Sequence, residues 1–185
     1  KLICYYNTMK ELLQYIFTDL AEPVRYLPYG IITGIIIAVI LDLAERFICR
    51  ERGPGKKIYR KKLIFSWAVY LSVIIILTFF SREPGSRTDV NMRLFGTWGI
   101  SAQAHAYVIE NVLLFIPFGM MFPMIGKWFS NIYVCIITAA LFSITIEIMQ
   151  YITARGFCQL DDIVMNTLGA IIGWFWWWVC KKIIR

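Results

Sequence analysis

The chain has 185 residues, 59% of them hydrophobic and 16% aromatic, with a mean hydropathy of +0.63. A composition this apolar excludes an ordinary soluble domain of that length and points to one compact membrane domain. The formal net charge of +7 gives no reason to expect nucleic acid, because the basic residues cluster between apolar runs, where anionic lipid and insertion topology account for them.

The opening stretch, KLICYYNTMKELLQYIF, lacks the layout of a cleavable signal, since Asn7, Lys10 and Glu11 break its short apolar run. Over residues 9–21, Leu12, Leu13, Ile16, Phe17 and Leu20 recur at helical spacing among Lys10, Glu11, Gln14 and Asp19. That pattern predicts an amphipathic helix lying in the membrane interface. Pro23 and Pro28 are expected to end it, so residues 1–28 read as an interfacial segment and 29–185 as the transmembrane domain. Tyr29 to Leu41 begins the first span, where Gly30 and Gly34 permit close helix approach, and Asp42, Glu45 and Arg46 follow near its far end.

Residues 46–62 hold eight Lys or Arg around a Gly53–Pro54–Gly55 turn, which marks a cytoplasmic loop. Leu63 to Phe80 is the second span, 81–104 the longest later loop, and Ala106 to Ile125 a third span interrupted by Pro117 and Gly119. Asn131 to Ile152 and Ile163 to Ile184 complete the set. The fold expected is all-α, a polytopic bundle of about five transmembrane helices plus the interfacial helix. Trp174, Trp176, Trp177 and Trp178 suit an interfacial belt, with Lys181, Lys182 and Arg185 as an inner anchor. Alternation from the basic loop puts the Lys127 turn and the C-terminus in the cytoplasm. The N-terminal segment, the 81–104 loop and the 153–162 turn then face outward. The five cysteines, Cys4, Cys49, Cys135, Cys158 and Cys180, show no metal-ligand spacing and support no disulfide.

This topology gathers polar residues at the outer face. Arg82 and Glu83 leave the second span there, and His105, Glu110 and Asn111 begin the third. Glu147, Gln150 and Arg155 end the fourth, and Asp161, Asp162 and Asn166 start the fifth. Ala140, Ser143, Glu147 and Tyr151 share one helix face, as do Asp162, Asn166, Gly169 and Gly173. Glu147 lies roughly 7–8 Å below the mouth at 1.5 Å per residue, where a carboxylate costs up to a few kcal/mol unless it faces protein, water or a partner. Each residue also has a plainer use. Asp161 or Asp162 can cap a helix, Asn166 and Gln150 can join helices, and Arg155 and His105 can sit at the interface. Convergence of the whole group is what argues for a site.

The stretches ENVLLFIPFGMMFP (110–123) and SITIEIMQYITARGFCQLDDIVMNTLGAIIG (143–173) resemble the VanZ-like family of bacterial membrane proteins. The matching positions are Asn111, Phe115, Pro117, Phe118, Gly119, Glu147, Gln150, Arg155, Asp161, Asp162, Asn166 and Gly169, with Arg82 as the preceding arginine. Cys158–Gln159 departs from the usual residues before the aspartates. The resemblance spans about residues 75–180. It implies a bacterial cell-membrane protein linked to resistance to the lipoglycopeptide teicoplanin, and a remote likeness to enzymes that exchange lipid head groups.

Two readings follow from chemistry. In the first, the protein acts on an envelope lipid or lipid-linked phosphate: Arg82 and Arg155 hold phosphate, and Glu147 is the general acid or base, with His105 in reserve. Asp161 and Asp162 hold a divalent cation, Mg²⁺ or Ca²⁺, or orient the attacking group, while Asn111, Gln150 and Asn166 position substrate. In the second, the same cup sequesters a lipoglycopeptide or cell-wall precursor without chemistry or metal. A carrier fits less well, because there is no inverted repeat and the polar groups avoid the midplane.

Overall fold

The computed structural model describes residues 2–48, 54–83, 85, 90–96 and 101–184. Five helices dominate: α1 (Leu2–Ile48), α2 (Pro54–Ile75), α3 (Ala102–Met121), α4 (Ile132–Ile152) and α5 (Leu160–Ile183). Each contains a segment long and apolar enough to cross a membrane, and the chain is a multi-pass membrane protein. Large apolar side chains face outward at helical spacing, such as Tyr133, Ile137, Leu141 and Ile148 on α4. Lipid can solvate that surface and water cannot.

The N-terminus differs from expectation. Pro23 and Pro28 lie inside α1, a single helix of 47 residues, and the candidate span runs from Met9 to Ile40. Two prolines do not stop a helix in a bilayer, because lipid offers no competing hydrogen bonds and neighbouring helices support the backbone. At 1.5 Å per residue, α1 is roughly 70 Å long and extends well beyond a hydrocarbon core of about 30 Å. The close approach expected of Gly30 and Gly34 is present: a Cβ on Gly30 would lie 3.0 Å from Val69 O, and one on Gly34 would lie 2.9 Å from the Phe65 ring. Cys4, Asp42, Glu45, Arg46, Cys49 and Arg185 fall outside the residues whose side chains are described.

The tightest packing is between α3 and α5. A Cβ on Gly119 would come within 2.0 Å of Ala170 O, on Gly169 within 2.1 Å of Val112 O, and on Gly173 within 2.0 Å of Ile116 O. The small face read along α5 is therefore the seam that lets two backbones meet. Beside it lies an apolar core of Ile74, Phe115, Phe118, Phe122, Cys135, Ala139, Ile146 and Ala170, with Phe118 stacked on Phe122 at 5.3 Å. On α4 the buried stripe includes Ala139, Ser143, Ile146, Glu147 and Gln150. Tyr151, expected on that face, is 48% exposed.

The other end of the bundle carries Lys181 and Lys182, in the last turn of α5. Lys181 and Lys182 stack over Trp177 and Trp178 at 4.5 and 4.0 Å, and Trp174 donates its indole N–H to Ser130 O in the α3–α4 connection.

Three local features shape the opposite face. The last turn of α2, Ile76–Phe80, widens to a π-turn in which Ser81 N–H reaches Ile76 O. After α4, Arg155 N–H returns to Gln150 O and Ala154 N–H to Tyr151 O, with Ala154 left-handed at φ 51°. This is a Schellman cap, which turns the chain sharply back over the helix end. Finally, β1 (Val90–Asn91) pairs in parallel with β2 (Cys158–Gln159), Val90 opposite Cys158 and Asn91 opposite Gln159, tying the long loop to the α4–α5 turn.

Candidate functional site

A cavity of about 900 Å³ opens where α2 and α4 end and α3 and α5 begin. Its walls change character with depth. Near the mouth they are polar, with Arg82, Glu83, Gln103 and Arg155. Along α2 and α3 they are apolar, formed by Val73, Ile74, Leu77, Leu113, Leu114 and Pro117, with Pro23 of α1 alongside.

Glu147 is 2% exposed and lines the cavity. Its Oε2 accepts the Gln159 backbone N–H at 2.9 Å, a donor delivered by the turn that the short parallel ladder fixes. The Arg82 guanidinium acts electrostatically on both Glu147 and Asp162, and the Asp162 carboxyl acts on Glu147. Asp162 also accepts a hydrogen bond from the Asn111 side chain. The groups expected to meet from three separate spans thus share one pocket, which answers the cost of placing a carboxylate in a membrane helix.

Gln150 and Arg155 meet α2. Gln150 Nε2 donates to Thr78 O at 3.3 Å, Arg155 Nη1 donates to Phe79 O, and the Arg155 guanidinium lies 5.9 Å from the centre of the Phe80 ring. Both carbonyls belong to the π-turn, whose irregular ladder offers them to side chains of α4 and its cap. Asn166 is 3% exposed; its Nδ2 donates to Ser143 Oγ at 2.8 Å, and its Oδ1 has no hydrogen-bond partner.

The adjacent aspartates part company. Asp162 lines the cavity, whereas Asp161, 3% exposed, is absent from its wall and accepts the Phe95 N–H at 2.6 Å. Neighbouring residues on a helix point about 100° apart, so one serves the pocket and the other the loop. Phe95 is left-handed at φ 59°, a costly state for a bulky residue, and the bond to Asp161 holds it. Among the described residues, no group of three or more His, Cys, Asp or Glu side chains is arranged to hold a metal ion. His105 also lies outside the wall, its Nδ1 bonded to Ser101 O at 2.9 Å.

Sequence reasoning passed over three contributors. Gly156 is packed so that a Cβ there would sit 2.8 Å from both Arg82 Nη1 and Gln150 Oε1. Tyr70 donates its hydroxyl to Leu114 O at 3.0 Å and accepts from Phe118 N–H, bracing α3 beside Pro117. The Gln159 backbone amide gives no residue-type signal at all. A single tyrosine hydroxyl facing α3 from an apolar span was the one legible clue. Beside the ladder, burial first and then the charges of Glu147 and Asp162 push the Cys158 thiol above its usual range.

The VanZ/LLP1 family matches residues 67–181, well over half of the chain. This chain belongs to the VanZ/LLP1 family. The family region takes in every cavity wall except that from α1, and it includes the Glu147, Asp162 and Asn166 positions. A curated relative is Protein VanZ of Enterococcus faecium, 36% identical over 117 residues, covering 57% of this chain and 67% of the relative. No solved structure matches the chain.

Proposed function

We propose that this VanZ/LLP1 protein takes an envelope amphiphile, a membrane lipid or lipid-linked phosphate, into the cavity and acts on or holds its head group at the extracytoplasmic face. The observation that carries this reading is the continuity of a polar mouth with an apolar wall inside one cavity of about 900 Å³. An amphiphile needs both surfaces, in that order from the membrane face inward. Lys127, Lys181 and Lys182 at the opposite end, with the basic stretch 46–62, favour a cytoplasmic position for that end.

In this reading Arg82 and Arg155 hold the phosphate oxygens at the mouth. Glu147 is the proton-transferring group, held in place by the Gln159 N–H and set beside Arg82. Asp162, oriented by Asn111, is the second carboxylate facing the substrate. Kinship with Protein VanZ supports a link to teicoplanin resistance.

The test uses the full chain in nanodiscs with labelled envelope phospholipids and polyprenyl phosphates. Head-group change that disappears in Glu147→Gln establishes the enzyme. Tight retention without product establishes the sequestering form of the same site. The absence of both turnover and retention removes the proposal.

A further inference from the structure

Gln159 is the N-cap of α5, extended at φ −117° and ψ 127°, and its side chain makes no cap bond. A residue there precedes the helix ladder, so its backbone N–H has no acceptor within the helix. It goes instead to Glu147 Oε2 at 2.9 Å. A backbone donor is aimed only as well as its peptide plane is held, and this plane is held by the pairing of Cys158–Gln159 with Val90–Asn91. A ladder of two residues a strand is too short to persist unless something outside it fixes its ends.

The far end of β1 runs into a turn. Arg93 N–H reaches Asn91 Oδ1 at 3.1 Å, and Gly96 N–H reaches Arg93 O at 3.2 Å. Phe95 sits within it at φ 59°, a state that a bulky residue keeps only where its surroundings enforce it. Its N–H is 2.6 Å from Asp161 Oδ1, and Asp161 stands two residues beyond Gln159 in the chain. An ionised acceptor bonds more strongly than a neutral carbonyl, which suits a turn under strain. The long loop is therefore clamped twice to one short stretch, by the ladder and by Asp161.

Resting on the reading of Glu147 as the proton-transferring group, we propose that Asp161 is a positioning residue that acts through the loop. By holding the Phe95 turn it keeps β1 against β2 and so aims the Gln159 N–H at Glu147. Its duty is to accept one backbone N–H. An amide oxygen can take over that duty, whereas an amide cannot replace a carboxylate that transfers a proton.

The experiment follows hydrogen exchange in the full chain in nanodiscs, read by mass spectrometry with fragmentation to single residues. Retention and turnover of labelled phosphatidylglycerol and polyprenyl phosphate are measured beside it. Asp161→Ala is expected to speed exchange of the Gln159 amide about tenfold and to cut lipid retention or turnover about fivefold, while α5 stays protected from Leu168 onward. Asp161→Asn is expected to bring both readouts back to within about threefold of the native chain, since its amide oxygen still accepts the Phe95 N–H. Phe95→Pro leaves Asp161 and α5 intact but removes the donor and the left-handed φ, so it is expected to reproduce the Asp161→Ala losses, and it carries the test should Asp161→Ala not fold. Unchanged Gln159 exchange in Phe95→Pro overturns the inference and leaves the amphiphile site standing. Loss of lipid handling in Asp161→Asn as complete as in Asp161→Ala, with Gln159 still protected, overturns it in favour of a charge-dependent role for Asp161 itself. Faster Gln159 exchange with rescue by Asp161→Asn, in a chain that neither retains nor converts either lipid, upholds the positioning of Glu147 and removes the amphiphile reading.

Discussion

At the scale of single residues, the site depends on groups that hold one another. Replacing Glu147 by Gln keeps an acceptor for the Gln159 N–H while removing the charge, so the fold is expected to survive and head-group turnover to vanish. The same variant has a second readout. The Glu147 and Asp162 charges, after burial, raise the Cys158 thiol. Deleting one of them favours the thiolate, so Glu147→Gln is expected to speed alkylation of a lone Cys158 at fixed pH, and an unchanged rate would separate the two groups. Gly156→Ala gives a complementary probe, because its Cβ would press on the ends of Arg82 and Gln150 rather than on backbone. Lipid retention should fall several-fold while thermal stability changes by less than about 1 kcal/mol.

Elements show where sequence patterns carry and where they stop. The three- and four-residue spacing of Asn166, Gly169 and Gly173 was enough to read the α5 seam, since only small residues allow backbones so close. Gly173→Ala should therefore lower stability by about 2 kcal/mol or more, checked by thermal unfolding in detergent. By contrast, the end of α4 was legible only as a boundary. Its Schellman cap places Ala154 in a conformation that favours glycine. Ala154→Gly is expected to raise stability by up to about 1 kcal/mol without moving Arg155. The π-turn at Ile76–Phe80 left no sequence signal; two of its carbonyls accept from Gln150 and Arg155, more than 70 residues away.

Across the whole molecule, alternation of spans places four helix ends at one face, with Arg82 and Arg155 among them, and Lys181 and Lys182 at the other. If the cavity opens outside the cell, a membrane-impermeant maleimide at mildly alkaline pH should label a lone Cys158 in intact cells. A lone Cys180, exposed near the far end of α5, should react only after permeabilisation. The reverse pattern would invert the protein. The prolines of α1 carry the main correction at this scale: in water they would end a helix, but here they ride within one span candidate, and Pro23 reaches the cavity wall.

Hydropathy and helical periodicity by themselves determined the number of long apolar helices, the small seam of α5 and the gathering of Arg82, Glu147, Asp162 and Asn166 at one end. Those properties follow from side-chain chemistry repeated along one chain direction. Only the tertiary structure decided which polar groups share the pocket. It turned Asp161 to the loop and Asp162 to the cavity, left His105 outside, and supplied the Gln159 amide that holds Glu147. Such choices depend on helix rotation and on backbone donors brought from distant turns, and neither is written in residue type or spacing.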